Sequence, residues 1–199
     1  MTLVLIFGTS HVGKSTLAAR VGTALDRPVI STDKLGRHPG RPWPRVPPAV
    51  EEHYDKLSDT AILWFLRVHH GNMRAMLVRR IEAALAEGSG LVLEGSALRP
   101  DLVAEVAGPA VRALGLIAPE TFVRARIVAE SGWAERDPAV QRRIDRFAVR
   151  SIADGDAIAA EAEKLGLPLV DVSDGAALEA AFGAVLEAVR GAGDAGGVG

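Results

Sequence analysis

Five apolar residues, Leu3-Val4-Leu5-Ile6-Phe7, run straight into Gly8-Thr9-Ser10-His11-Val12-Gly13-Lys14-Ser15, and this junction constrains the chain more than any other feature. A continuous apolar run closed by glycine has the pattern of a strand buried on both faces. The eight residues that follow read glycine, any four, glycine, lysine, serine. Their glycines let the backbone turn tightly, so that successive N–H groups line a concavity for phosphate oxygens. The helix expected to open near Lys14 adds the positive end of its dipole. Lys14 can reach the β- and γ-phosphates of a nucleotide, and the Ser15 hydroxyl can ligate Mg²⁺. Gly8, Thr9, Ser10, His11, Val12, Gly13, Lys14, Ser15 and Thr16 are therefore the expected contacts for ATP. His11 is given no catalytic role.

The rest of the chain repeats the alternation of short apolar strand and helix. Strands are expected at Pro28-Val29-Ile30, Leu91-Val92-Leu93, Val111 to Ala118 and Leu169 to Val172. Helical stretches follow from Lys14 to Leu25, from Ser58-Asp59 to about Ala86 with a break near Gly71-Asn72, from Pro119, through Leu165, and from Gly175 onward. Five of the eleven prolines fall between Pro39 and Pro48, which forbids regular helix there. This alternation implies α/β architecture, a five-stranded parallel sheet with helices on both faces. With 199 residues, one domain over 1–190 is expected, followed by a glycine- and alanine-rich tail at 191–199 expected to be disordered.

Composition narrows the function classes. There is no cysteine, which excludes disulfides, thiolate metal sites and cysteine nucleophiles. A net charge of −2 gives no general attraction to nucleic acid or anionic membrane. The opening apolar run is far too short to span a bilayer and has no basic leader or cleavage site. A cytoplasmic protein, monomer or homodimer, with a small-molecule partner, is expected. Four lysines stand beside nineteen arginines, so a lysine at Lys14 is a choice the composition does not favour. No Asn-Lys-x-Asp element for guanine occurs.

Two carboxylates follow strands directly. In an open parallel sheet, ligand-facing residues gather at the carboxyl ends of the strands. Asp33, after the second strand, is thereby placed near the phosphate loop, where it can orient an acceptor hydroxyl and take its proton. Its plain alternative is a helix cap. Glu94, closing Leu91-Val92-Leu93, can hold Mg²⁺ with Ser15 or hydrogen-bond the substrate. Arg99, five residues on, can grip an anionic group of the acceptor through its planar fork.

Gly8 to Ser15, Asp33 and Glu94-Gly95 together resemble the P-loop small-molecule kinases of the nucleoside monophosphate kinase fold, the group of shikimate, gluconate, chloramphenicol and zeta-toxin-like kinases. The resemblance spans most of residues 1–190. It implies a three-layer P-loop NTPase fold with a helical substrate insertion, placed at 37–87, and a lid, placed at 131–146. In several such kinases an aspartate after the second strand binds or deprotonates the acceptor hydroxyl, a role that passes to Asp33. Ser31 stands where shikimate kinase has a second acid, which argues against shikimate as acceptor. The resemblance also implies an arginine stacked on adenine after the fourth strand, Arg124 or Arg126, with Arg124 taken as the contact, and Ser173-Asp174-Gly175 bordering the base.

Arg142, Arg146 and Arg150 share one helical face. At least one of Arg136, Arg142, Arg143 and Arg146 is expected to touch phosphate and offset transition-state charge, with Arg142 taken as the catalytic one. The acceptor pocket draws on Lys34, Arg37, His38, Arg41, Trp43, Arg45, His53 and Tyr54, a set whose cations suggest an anionic acceptor held by Arg37, Arg41, Glu94 and Arg99. Trp64, Phe65 and Met76 are expected in the core, and His69-His70 shows no metal-ligand spacing. The expected activity is ATP- and Mg²⁺-dependent transfer of the γ-phosphate to a hydroxyl of a small, anionic metabolite. The alternatives are a nucleotide kinase and an ATP-binding switch or assembly factor that transfers nothing.

Overall fold

The computed structural model of the chain describes residues 2–36 and 39–194. Strands β1 (Leu3–Gly8), β2 (Val29–Ser31), β3 (Val92–Glu94), β4 (Val111–Ile117) and β5 (Leu169–Asp171) form one sheet in the order β2-β3-β1-β4-β5. Every neighbouring pair is parallel. The helices are α1 (Lys14–Leu25), α2 (Pro48–Lys56), α3 (Asp59–Ala86), α4 (Pro100–Glu105), α5 (Glu120–Ser131), α6 (Pro138–Lys164) and α7 (Gly175–Asp194). Among the described residues no helix is long and apolar enough to cross a membrane.

The sheet is covered on both faces because β1, its central strand, is apolar at every position before Gly8. Leu3, Leu5 and Phe7 point into one layer, against Met73, Leu77 and Ile81 of α3, Leu102 of α4 and Ile158 of α6. Val4 and Ile6 point into the other, against Leu17 and Val21 of α1, Ile127 of α5 and Val189 of α7. Such alternation follows from the two-residue period of a strand. Helix α6 serves both layers, with Ile144 and Ala148 in the second core and Ile158 and Ala162 in the first. Its middle touches the phosphate loop, where a Cβ on Gly155 would stand 3.0 Å from Thr9 Cγ2.

Several expectations need correction. Helix α3 runs unbroken through Gly71. A glycine inside a helix costs about 1 kcal/mol relative to alanine, and the buried stripe Met73, Leu77, Ile81 outweighs that. Helices α2 and α4 were not foreseen. Both begin at a proline, which fits the first helical turn because its missing N–H is unpaired there anyway. The irregular part of the lid segment is confined to the 3₁₀ turn Trp133–Glu135 and its flanks, since α6 starts at Pro138 with Asp137 as its cap. Helix α7 continues to Asp194, past the expected start of the tail. Trp64 and Phe65, expected in the core, are 59% and 48% exposed.

Candidate active site

Strand register brings the motif-bearing ends together. Glu94 stands opposite Ile6 of β1 and Ser31 of β2, so Gly8, Asp33 and Glu94 all emerge at one edge of the sheet. The turn Thr32–Lys34 carries Asp33, which is exposed. Gly95 is required next to it: its φ is +147°, and a Cβ there would lie 1.8 Å from Thr32 Oγ1. Glycine thus lets the β2 and β3 ends pack side by side.

The loop between β1 and α1 has an open, positively polarised concavity. Gly8 has φ +142°, and a Cβ would come 2.5 Å from the Leu116 carbonyl oxygen, so β4 can sit flush behind the loop. Gly13 caps α1 in the left-handed region. No side chain caps α1 and no acid sits in its first turn, which leaves its first amides to an incoming anion. Lys14 is buried and donates to the Thr9 carbonyl at 2.5 Å. Burial pulls its ammonium below the usual lysine range, while Asp33, Glu94 and Asp154 act in the opposite direction.

Ser15 donates its hydroxyl hydrogen to Glu94 Oε1 at 3.1 Å, and Glu94 is 2% exposed. One hydroxyl and one carboxylate, both hard oxygen donors beside a phosphate cradle, fit Mg²⁺, which keeps several waters and takes few protein ligands. The other loop residues serve the loop itself. Thr9 donates to the Ser151 carbonyl at 2.7 Å, Ser10 lies 2.9 Å from His11 Nδ1, and Val12 is core. His11 is buried at φ +65° among Trp43 and Phe147, with Nε2 3.3 Å from Glu130. Burial, then Arg41, Lys14 and Arg126, push its pKa down to about 4, so it is neutral near pH 7.

Two hollows adjoin this loop. One is lined by Val12, Gly13, Thr16, Leu17, Leu116, Arg126 and others. Arg126 reaches it, with Nη1 3.3 Å from where a Gly13 Cβ would stand. Arg124, the expected base contact, is instead half-buried and paired with Glu120 one turn away at 2.7 Å. Asp174 caps α7.

The second hollow has a cavity volume of about 170 Å³ and runs from Thr9, Ser10 and Asp33 to α2, α3 and α6. Tyr54, Ile62, Leu66 and Phe147 are among its walls, and Arg150, Ser151 and Asp154 come from α6. Arg41 lies here, bonded to Glu130. Arg37 and His38 lie outside the described residues. Arg99 does not line this hollow: it donates to Asp154 Oδ1 at 2.8 Å, so it fixes a wall residue. Asp154 and Ser151 had a signal in the sequence, as buried polar positions on the apolar stripe of α6.

The arginines of α6 are largely engaged with the insertion. Arg143 pairs with Glu51 and Asp55, each at 3.0 Å. Arg146 pairs with Asp59 and donates to the Tyr54 and Leu57 carbonyls. Arg150 donates Nη1 to the same Asp59 at 2.5 Å, and its buried Nη2 has no partner among the described residues. Arg136 donates to the Ser131 carbonyl. Arg142 is exposed on α6.

The sequence matches no protein-family model and no curated protein. Solved structures do resemble this one. A Chloroflexus aurantiacus protein assigned as a kinase matches at TM-score 0.52 and 20% identity, over 96% of each chain. Deoxyadenosine kinase from M. mycoides, solved with dATP, matches at 0.52 and 12%, over 92% of this chain and 99% of that one. A sugar kinase from Janibacter sp. matches at 0.50 and 18%, over 96% and 97%. At such identities the likeness defines the fold: a five-stranded P-loop NTPase fold of the kind these kinases have.

Proposed function

We propose that the chain is an ATP- and Mg²⁺-dependent phosphotransferase that moves the γ-phosphoryl group to a hydroxyl of a small molecule. One observation carries the reading: a single hollow joins the phosphate loop at Thr9 and Ser10 to the Asp33 carboxylate and to walls supplied by α2, α3 and α6. A nucleotide kinase has no need of a carboxylate at that place, because a phosphate acceptor arrives deprotonated, and a pure switch has no need of the hollow.

The chemistry is mostly positioning and charge stabilisation. The loop amides and the α1 N-terminus hold the phosphates, and Lys14 exchanges the Thr9 carbonyl for phosphate oxygens. Ser15 and Glu94 would hold Mg²⁺, whose contribution there is to neutralise charge on the phosphates. Asp33 orients the acceptor hydroxyl and takes its proton. Arg142, which no ion pair engages among the described residues, closes over the phosphates. Arg126 borders the base. The anionic character expected of the acceptor finds a counterpart in Arg150: Arg146 and Arg150 share the single carboxylate of Asp59, and Arg150 Nη2 is buried without an acceptor. A buried donor left unpaired invites a ligand oxygen.

Calorimetric titration with ATP, with and without Mg²⁺, tests the first half. Wild type binds more tightly with Mg²⁺, and Lys14→Met loses at least tenfold. Release of ADP against pooled hydroxyl metabolites tests the second half: one pool stimulates it. Normal ATP binding with no stimulation by any pool, together with a protein partner whose affinity tracks nucleotide, would replace this reading with that of a switch.

A further inference from the structure

The acceptor hollow carries more apolar wall than a site for a sugar or sugar acid calls for. Tyr54, Ile62, Leu63, Phe65, Leu66 and Phe147 line it. Several of the polar groups around them already have partners in the fold. Tyr54 donates to the Gly40 carbonyl, Arg41 to Glu130, Thr9 to the Ser151 carbonyl and Arg99 to Asp154. His53 stands edge-on to Tyr54, its rings 5.1 Å apart, and burial followed by Arg150 lowers its pKa, so it presents a neutral ring. Ser10, His69 and Ser96 also line the hollow, with Ser10 2.9 Å from His11 Nδ1 and Ser96 3.4 Å from His70 Nε2. A ligand there meets the charge of Asp33, beside the phosphate loop, and of Arg150, on the wall.

The apolar lining also continues outward. Phe65 is exposed while lining the hollow, its ring centroid 5.1 Å from that of Trp64, and Val68 follows one turn along α3. A polyol carries a hydroxyl on each carbon and would have to desolvate several of them against these side chains without replacement partners. An apolar ring loses nothing comparable and removes its own surface from water together with that of the wall.

We propose that the acceptor is an amphipathic alcohol: a ring-sized apolar body lies among Tyr54, Ile62, Phe65, Leu66 and Phe147, its hydroxyl faces Asp33, and one anionic group meets Arg150. This rests on the phosphotransferase reading and specifies its substrate class. In the transfer, the alcohol oxygen bonds to the γ-phosphorus as the bond from that phosphorus to the bridging oxygen of ATP breaks. ADP leaves, and the hydroxyl proton passes to Asp33 and then to water.

Four probes separate the classes: 4-(hydroxymethyl)benzoate, benzyl alcohol, gluconate and glycerate. Binding to the full chain is followed by ligand-observed NMR, and turnover by ADP release with Mg²⁺-ATP. The expected order places 4-(hydroxymethyl)benzoate first, at least tenfold tighter than gluconate or glycerate, with benzyl alcohol between. Phe65→Ser, at a side chain already half exposed, keeps the fold and weakens the aryl probes about tenfold while leaving ATP affinity unchanged. Tighter binding of gluconate or glycerate, or aryl binding indifferent to Phe65→Ser, overturns the proposal even where ADP release confirms a kinase. Aryl binding that depends on Phe65 with no ADP release upholds the pocket's chemistry and removes the phosphotransferase reading instead.

Discussion

Breaking the Arg99–Asp154 pair should damage the fold far more than it damages nucleotide binding. Arg99 Nη1 donates to Asp154 Oδ1 at 2.8 Å, and the two side chains are 14% and 5% exposed. The pair joins the segment after β3 to the middle of α6, beside the contact between Gly155 and Thr9. In Arg99→Met the Asp154 carboxylate stays buried without its hydrogen-bonded counter-charge, with only the longer-range charge of Lys14 left to offset it. Removing one partner of a buried pair costs about 3–5 kcal/mol, whereas replacing both by apolar side chains is often neutral. The partial exposure of Arg99 lets some water take its place, so a loss at or just below that range, about 2–3 kcal/mol, is expected. For a domain of this size that is a fall of roughly 4–12 °C in Tm. Asp154→Leu in the same chain as Arg99→Met should restore most of the loss. Urea unfolding at pH 7.5 without nucleotide, on wild type, both single variants and the double variant, gives the coupling energy. A single Arg99→Met variant within about 0.5 kcal/mol of wild type, the range of an ordinary surface substitution, would refute the structural role and return Arg99 to the acceptor.

Two further outcomes follow from the site. Folded His11 is held at a pKa of about 4 against 6.5 for an unfolded histidine, so the unfolded chain takes up the extra proton between those values. Stability from this group is then complete above pH 6.5 and lost as the pH falls towards 4; His11→Asn, a residue tolerant of positive φ, should flatten the fall in urea midpoint between pH 7 and 4.5, and an unchanged slope would contradict it. Arg126→Ala should weaken ATP by about 1 kcal/mol or more, as loss of a cation beside an aromatic base does, while Arg124→Ala should leave calorimetric affinity within error.

The five strands and the phosphate loop were legible because each rests on local pattern: an unbroken apolar run, and glycines at fixed spacing. The placement of Asp33 and Glu94 beside that loop was legible as well, because a parallel sheet gathers its strand ends at one edge whatever the rest of the chain does. The fate of the arginines was not. Nothing local distinguishes Arg124, bonded to its own helix, from Arg126, which reaches the loop. The carboxylates that engage Arg143, Arg146 and Arg150 lie about ninety positions earlier in the sequence. Trp64 and Phe65 looked like core because α3 is apolar all round at that turn, and only packing decides which face the sheet takes. The hollow beside Asp33 is a product of tertiary contact between α2, α3 and α6, so its apolar wall had no signature in the sequence.

Transfer of label from [γ-³²P]ATP into an organic product, with Mg²⁺ and an acceptor drawn from whichever pool stimulates ADP release, tests the central claim most directly. Wild type should place the label in an acid-stable phosphate ester. Asp33→Asn should bind ATP normally yet transfer at least a hundredfold more slowly, the size of effect general-base loss produces. Label found only in inorganic phosphate, or transfer unchanged by Asp33→Asn, would contradict the account.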